Sequence, residues 1–325
     1  GIGTSSLAQI FNERGNVISG SDNKKSDIIE KLEKNKIKVF YNQKKENINN
    51  NLDLVIFSPA IPEDNEELKE AKKLGIKTLS YPEALGEFSK EFFTIAVAGT
   101  HGKSTTTAML AVVAKNAGLD PTVVVGTKVK EFAGKNFLSG NSKLLIIEAC
   151  EYKRSFLNFH PDILIITNTE LDHLDYYKNE ADYLSAFETL EKQSKKIIKN
   201  IEVEKRYKLK SLGDFNQENA NNAALAAKEL KISDEEIENS LENFQGIWRR
   251  MEKKETKFEN TIFIDDYAHH PTEIKVTLDA IREKNPDSKI LCVFQPHQYS
   301  RTAILLDEFA NSFFSADKVI IPNIY

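Results

Sequence analysis

The run Val97-Ala98-Gly99-Thr100-His101-Gly102-Lys103-Ser104-Thr105-Thr106-Thr107 holds the residues of this sequence best suited to chemistry. Gly99 and Gly102 allow backbone N–H groups to turn inward on a polyphosphate, with Thr100, His101 and Thr105 beside them. Lys103 can reach the outer phosphates, and the Ser104 hydroxyl can ligate Mg²⁺. The pattern departs from G-x-x-x-x-G-K-[ST], because Val97 stands where its first glycine belongs. The alternative is a plain glycine turn capped by Ser104.

Other candidates are spread along the chain. Gly1-x-Gly3, with Asp22 after a following strand, outlines a dinucleotide-type site in which glycines approach a pyrophosphate and the acid takes ribose hydroxyls. Ser6 replaces its third glycine, and a plain turn fits the same residues. Glu148 ends an apolar run, and His173 sits in the segment Asn168–Asp175. A carboxylate and an imidazole can hold a metal near a γ-phosphate; a helix cap and a surface-loop histidine are the bland alternatives. Asn216 and Asn219 carry amides that can read an adenine edge or cap a helix. Arg249-Arg250 is either a solvated pair or a source of guanidinium across a domain interface. Asp265-Asp266-Tyr267-Ala268-His269-His270 invites a metal reading, and Gln295–Thr302 follows another apolar run.

These residues need a frame, and the apolar runs supply one. Phe93–Ala98 reads as a buried strand, and 104–116 has helical composition stopped by Gly118. Strand, glycine loop and helix is the order a phosphate-binding loop requires, the helix N-terminus adding partial positive charge. Before it, residues 1–88 alternate helical stretches with strands at Val17–Ser19, Lys38–Tyr41, Leu54–Phe57 and Lys77–Leu79, which implies a parallel sheet with crossovers. After it, Thr122–Val125, Leu144–Ile147 and Ile163–Thr167 are continuous apolar runs of the kind buried on both faces of such a sheet. Functional groups then belong at strand C-terminal ends. Lys192–Leu212 is lysine-rich and weakly patterned, Ser233-Asp234-Glu235-Glu236 starts a helix, and Thr261–Ile264 and Lys289–Phe294 are the last strands. The predicted fold class is α/β in three domains: Rossmann-like over 1–88, a central P-loop ATPase parallel sheet over 89–245, and a second Rossmann-like domain over 246–325, read as incomplete.

The 325 residues are 40% hydrophobic and 29% charged, with net charge −5. That balance fits a soluble globular protein and argues against a nucleic-acid partner. Cys150 and Cys292 read as buried reduced thiols, consistent with the cytoplasm. No apolar run approaches the roughly 20 residues of a membrane helix. The sequence opens at Gly1 without Met, which leaves a leader open.

The segment Ala98-Gly99-Thr100-His101-Gly102-Lys103-Ser104-Thr105-Thr106 resembles the ATP loop of the Mur ligases, the ATP-dependent amino-acid ligases of peptidoglycan synthesis. Gly1-Ile2-Gly3, Ser19-Gly20-Ser21-Asp22 and Ser58-Pro59-Ala60-Ile61-Pro62 resemble their UDP-binding domain. Glu148-Ala149-Cys150-Glu151 and Asp172-His173-Leu174-Asp175 resemble their metal-site segments, and Gly213-Asp214-Phe215-Asn216-Gln217-Glu218-Asn219 their nucleotide-contacting turn. The resemblance implies that Gly1, Gly3, Ser21, Asp22 and Ser58 bind a UDP-sugar. ATP falls to residues 99–105, Asn216, Asn219, Arg249, Arg250 and Asp266. Ser104, Glu148 and His173 take Mg²⁺, and Lys103, Glu148 and His173 are catalytic. Tyr267, His269, His297 and Arg301 take the amino acid. The family commonly has Arg where Gln298 stands, and usually has a longer stretch at 192–212. The implied reaction phosphorylates the lactyl carboxylate of UDP-N-acetylmuramate with ATP, and the amine of L-alanine then attacks the acyl phosphate. Two alternatives stay open: a recycling ligase that joins a tripeptide to the same sugar, and a shortened nucleotide-binding protein without turnover. A monomer or weak homodimer is expected.

Overall fold

The computed structural model describes residues 1–199, 201–297 and 299–324; Gln298 therefore lies outside the described residues. The first part of the chain runs α1 (Ile2–Glu13), β1 (Ser19–Ser21), α2 (Asp27–Lys34), β2 (Lys38–Phe40), β3 (Leu54–Phe57), α3 (Glu66–Lys73), β4 (Lys77–Ser80) and α4 (Tyr81–Ser89). Its strands pair in parallel as β1–β2 and β3–β4, two separate short ladders. The strand predicted at Val17–Ser19 begins two residues later. Val17 is fully exposed, and backbone pairing with Lys38–Phe40 places Ser19–Ser21 in register.

The central part runs β5 (Phe93–Ala98), α5 (Lys103–Asn116), β6 (Thr122–Val129), β7 (Lys135–Leu138), β8 (Leu144–Glu148), β9 (Ile163–Ile166), α6 (Glu180–Gln193), β10 (Lys196–Lys199), α7 (Asp214–Glu229) and α8 (Asp234–Asn243). The sheet order is β10-β9-β5-β8-β6-β7. Every ladder is parallel except β6–β7, where a short edge strand turns back. Alternation along each strand divides the core in two. Ile95, Val97, Val123, Val125, Ile146 and Ile165 join the inner faces of α5, α7 and α8. Ala96, Ala98, Leu145, Ile147, Leu164 and Ile166 join α6 and the apolar residues of α1 and α4, so the N-terminal part covers the second face.

The 192–212 stretch forms β10 and then an irregular segment held by α7 side chains. Gln217 accepts from the Tyr207 amide and donates to its carbonyl, and Asn221 does the same for Lys205. Two amides thus replace a sheet ladder in satisfying that backbone. Ser233 and Glu236 form the expected capping box of α8.

The last part runs β11 (Glu252–Lys254), β12 (Phe263–Asp265), α9 (Pro271–Lys284), β13 (Leu291–Val293), α10 (Tyr299–Ile304), α11 (Leu306–Ala310) and β14 (Lys318–Ile320). β13 and β14 pair in parallel, as a Rossmann-like unit requires, while β11 and β12 form an antiparallel pair. The expectation of buried thiols fails: Cys150 is exposed and Cys292 partly so, both free. Cys150 lies just past the end of β8, and Cys292 packs only partly covered against the C-terminal core.

Candidate active site

β5 is flanked by β8 and β9, so the loops leaving all three strands meet at one edge of the sheet. The crossover after β5 uses α5, within the first core cluster. The β8–β9 crossover packs Phe156 in the second. Crossovers on opposite faces leave a crevice at the carboxyl ends of the strands, where ligands of open α/β sheets bind.

The loop between β5 and α5 is shaped by β9. Thr167 and Asn168 side chains donate to the His101 carbonyl, and Asn168 Oδ1 accepts from the His101 amide at 3.0 Å. Gly99 has φ +133°, and a Cβ there would lie 2.1 Å from Thr167 Oγ1. Gly102, the α5 N-cap, has φ +82°, and a Cβ there would lie 2.3 Å from Asn219 Oδ1. Neither position accepts a side chain, so the loop presents backbone at the helix N-terminus, the arrangement that suits a phosphate group.

Ser104 Oγ donates to both Glu148 oxygens, at 3.0 and 2.9 Å, and the Gly126 amide donates to Oε2 at 2.6 Å. This cluster of hard oxygen donors fits Mg²⁺. Glu148 is therefore neither a helix cap nor idle. Lys103 Nζ turns back to the carbonyls of Gly99 and Thr100 and lies 2.9 Å from Glu151 Oε2. His173, at φ +55°, brings Nε2 to 3.3 Å from Glu151 Oε1. Glu151 thus joins Lys103 to His173. Burial opposes its ionisation, but Lys103 and His173 outweigh burial and hold its carboxyl below the usual range. Lys103 gains correspondingly: burial lowers its pKa, but Glu151 together with Cys150 and Glu148 more than restores it.

On the other wall, Asn216 donates to the Leu212 carbonyl, and Asn219 Oδ1 accepts from Thr106 Oγ1 at 3.1 Å. The N-cap of α7 is Gly213, so these asparagines do not cap the helix. Arg250 pairs with Glu273 at 2.9 Å and Arg249 with Asp265 at 3.3 Å. Asp266 accepts from the Met251 and Ala268 amides, and burial pushes its carboxyl up despite nearby Arg250. A cavity of about 440 Å³ is lined by His101, Gly102, Ser104, Thr105, Asn216, Asn219, Arg250 and Asp266, with α9 closing it. Gly99, Thr100, Lys103 and Arg249 do not line it.

His101 is wedged between domains. Its Nε2 lies 3.3 Å from Glu170 and its Nδ1 3.3 Å from Glu273. Burial favours the neutral ring, but the two carboxylates outweigh it and raise the pKa to about 9. Glu273 is fully buried. Burial opposes its charge, yet Arg250, His101 and His269 hold its carboxyl well below the usual range. His269 Nδ1 lies 3.2 Å from Glu273, and burial lowers its pKa. Tyr267 is about half exposed, with its ring beside His269. Arg301 is buried and pairs with Asp172 at 3.0 Å, while Asp172 Oδ1 also accepts the His173 amide at 2.6 Å. His297 is exposed at the end of the segment after β13.

The N-terminal candidates are dispersed. Gly1 caps α1, and Gly3 lies inside it, where a Cβ would sit 2.7 Å from the Tyr81 ring. Ser21 donates to Glu67, Asp22 accepts from the Lys24 amide, and Ser58 accepts from the Ala60 amide. Ser21, Asp22 and Ser58 share only the carboxyl ends of β1 and β3. Burial and then Glu148 raise the Tyr81 phenol, and Tyr81 packs with α1 and α4 against the second face of the central sheet.

Sequence reasoning missed Glu151, Glu170, Asp172 and Glu273. The available signals were acids just past strand ends and, for Glu273, an acid in the first turn of a helix.

A phosphate-type loop at the switch point of a parallel sheet, closed by a third α/β unit, defines an ATP-binding class of multidomain enzyme. The comparisons are specific. Residues 1–93 match the Mur ligase family, catalytic domain; 97–246 match the Mur ligase middle domain; 249–322 match the Mur ligase, glutamate ligase domain. The chain belongs to the Mur ligase family. The UDP-N-acetylmuramate–L-alanine ligase of Clostridium acetobutylicum is 40% identical over 376 aligned positions, covering 100% of this chain and 81% of that protein. The structure of the UDP-N-acetylmuramate–alanine ligase of Thermotoga maritima matches with TM-score 0.83 at 29% identity, covering 100% of this chain and 84% of the other. A murein peptide ligase from Psychrobacter arcticus shares the fold at TM-score 0.72 and 24% identity, covering 99% and 82%. The described residues contain no helix long and apolar enough to cross a membrane.

Proposed function

We propose that this chain is an ATP-dependent ligase that joins L-alanine to the lactyl carboxylate of UDP-N-acetylmuramate. The observation that carries the reading is the full-chain match to ligases of that name, on a structure whose phosphate loop opens into a cavity between two domains. In this reading ATP lies in that cavity, its phosphates at residues 99–105 and its base near Asn216 and Asn219. Mg²⁺, which Ser104, Glu148 and His173 would hold, would supply charge neutralisation to the transferred phosphoryl group. Lys103, kept charged by Glu151, stabilises the developing negative charge. His173 is set by Glu151 and Asp172 beside the same point and orients the acceptor carboxylate. Gly1, Gly3, Ser21, Asp22 and Ser58 hold the UDP-sugar, and Tyr267, His269, His297 and Arg301 hold the amino acid. Arg249, Arg250 and Asp266 bring the third domain onto the nucleotide, which excludes water from the acyl phosphate.

The test is phosphate release by the full chain with ATP and Mg²⁺. Release should require both UDP-N-acetylmuramate and L-alanine. Release only with a tripeptide amine would select the recycling ligase, and nucleotide binding without release under any condition would overturn the enzyme reading.

A further inference from the structure

A second cluster of metal-ligand side chains shares no residue with Ser104, Glu148 and His173. His101 of the phosphate loop, Glu170 of the loop after β9 and His270 at the α9 N-cap bring one ligand atom each within 4.8 Å of one another. Two come from the central domain and one from the C-terminal domain. The two imidazole rings are 4.8 Å apart. His101 Nε2 is buried, faces Glu170 Oε2 at 3.3 Å, and makes no well-formed hydrogen bond.

The surroundings of the cluster are those of a ligating histidine. Glu273 Oε1 stands 3.3 Å from His101 Nδ1 and holds a ring proton there, so a metal entering beside Glu170 and His270 would displace the proton on Nε2. A carboxylate on the far nitrogen is the usual support of a metal-bound imidazole. Glu273 is in turn fixed by Arg250 at 2.9 Å and by the His269 amide at 3.0 Å. Thr272 Oγ1 donates to Glu170 Oε2 at 2.9 Å and steadies that carboxylate. His270 spends Nδ1 on a long cap bond, 3.3 Å, to the Thr272 amide, a weak contact the ring gives up if that nitrogen takes a metal.

We propose that His101, Glu170 and His270 form a transition-metal site that ties the phosphate loop to the C-terminal domain. Two imidazole nitrogens and one carboxylate oxygen suit Zn²⁺ or Co²⁺ rather than Mg²⁺, which demands oxygen ligands. Three protein ligands leave a fourth position for water or a phosphate oxygen. A metal here closes the cavity wall and favours the docked arrangement of the two domains by mass action.

The test uses the full chain without nucleotide, titrated with Zn²⁺ by calorimetry and with Co²⁺ by visible absorption. One equivalent should bind, Co²⁺ should give the intense bands of a low-coordinate site, and Zn²⁺ should raise the melting temperature. His270→Asn and Glu170→Gln should each weaken Zn²⁺ binding at least tenfold and abolish the bands, while Glu148→Gln and Cys150→Ser should keep them. Glu273→Gln should weaken binding roughly tenfold, the lower end for a supporting residue. No binding to the unaltered chain overturns the proposal. So does binding that survives both ligand substitutions, or that disappears with Glu148→Gln or Cys150→Ser. Should His270→Asn fail to fold, Glu170→Gln decides, because Glu170 is exposed and its loss leaves the core intact.

Discussion

At the scale of single residues, two demands meet at Lys103. In the proposed reading Lys103 stands beside a transferring phosphoryl group and has to stay charged, yet its side chain is only 12% exposed and lies 2.9 Å from a Glu151 carboxylate that is 2% exposed. Burial disfavours both charges, and each partner favours the other's ionised form. Removing one partner of a buried pair costs roughly 3–5 kcal/mol. Lys103→Ala should therefore lose phosphate release and also lower the urea midpoint by an amount of that order. Lys103→Met combined with Glu151→Gln removes both charges; it should regain most of the stability and stay inactive. UDP-sugar binding should be nearly unchanged in both, since that site is assigned to another domain. A double variant that still turned over ATP at the original rate would take Lys103 out of the chemistry. Glu148 supports a second prediction. Its carboxylate accepts from Ser104 and Gly126, and Gln offers one acceptor oxygen in place of two. Glu148→Gln and His173→Ala should each raise the Mg²⁺ concentration for half-maximal activity, by roughly tenfold or more for Glu148→Gln. Identical Mg²⁺ curves for all three proteins would return both residues to a structural role.

The elements that deliver these residues were unequally legible. β5, β8 and β9 are buried on both faces, so their sequences are unbroken apolar runs that mark them, and the loops at their ends follow. β7, β10, β11 and β14 carry lysine at or near their ends and little apolar pattern; they exist because a neighbouring backbone offers a ladder, which no local pattern reveals. Glu151 and Glu273 were obscure for a related reason. Their roles are set by Lys103, His101 and Arg250, all distant in sequence. Gly102 was legible as a loop glycine, but the structure adds why nothing larger fits. It starts α5 at φ +82°, with Asn219 of α7 packed where a Cβ would go. Gly102→Ala must strain the backbone and push α7 from α5, at a cost of about 1–3 kcal/mol. The urea midpoint should fall accordingly and ATP affinity should drop with it, because the displaced Asn219 lines the same cavity. A variant with unchanged nucleotide affinity would show that α5 and α7 can separate without disturbing the site.

Across the whole molecule, a buried ion pair joins the C-terminal domain to the loop after β9. Arg301 binds Asp172 at 3.0 Å, and Asp172 in turn accepts the His173 amide at 2.6 Å. The proposed reading gives the amino-acid carboxylate to Arg301, whose guanidinium can bind a carboxylate through two parallel hydrogen bonds. In this structure a protein carboxylate already occupies that guanidinium, so in the proposed reading alanine has to compete with Asp172 or share Arg301 with it. The two substitutions separate the roles. Arg301→Ala removes the cation and should raise the KM for L-alanine by the equivalent of about 2–5 kcal/mol, the range for truncating one partner of a buried charge pair. Asp172→Asn leaves the cation and weakens its competitor, so the KM for L-alanine should stay level or fall. The same change loosens the support of His173, so kcat should fall and the Mg²⁺ requirement rise. The measurement is KM for L-alanine and the Mg²⁺ dependence of kcat for the unaltered chain and both variants, at saturating ATP and UDP-sugar. An unaltered KM in Arg301→Ala would make Arg301 a strut between domains and leave the amino-acid carboxylate without its assigned partner. A KM that rose equally in both variants would mean that the ion pair itself, rather than the guanidinium alone, shapes the alanine pocket.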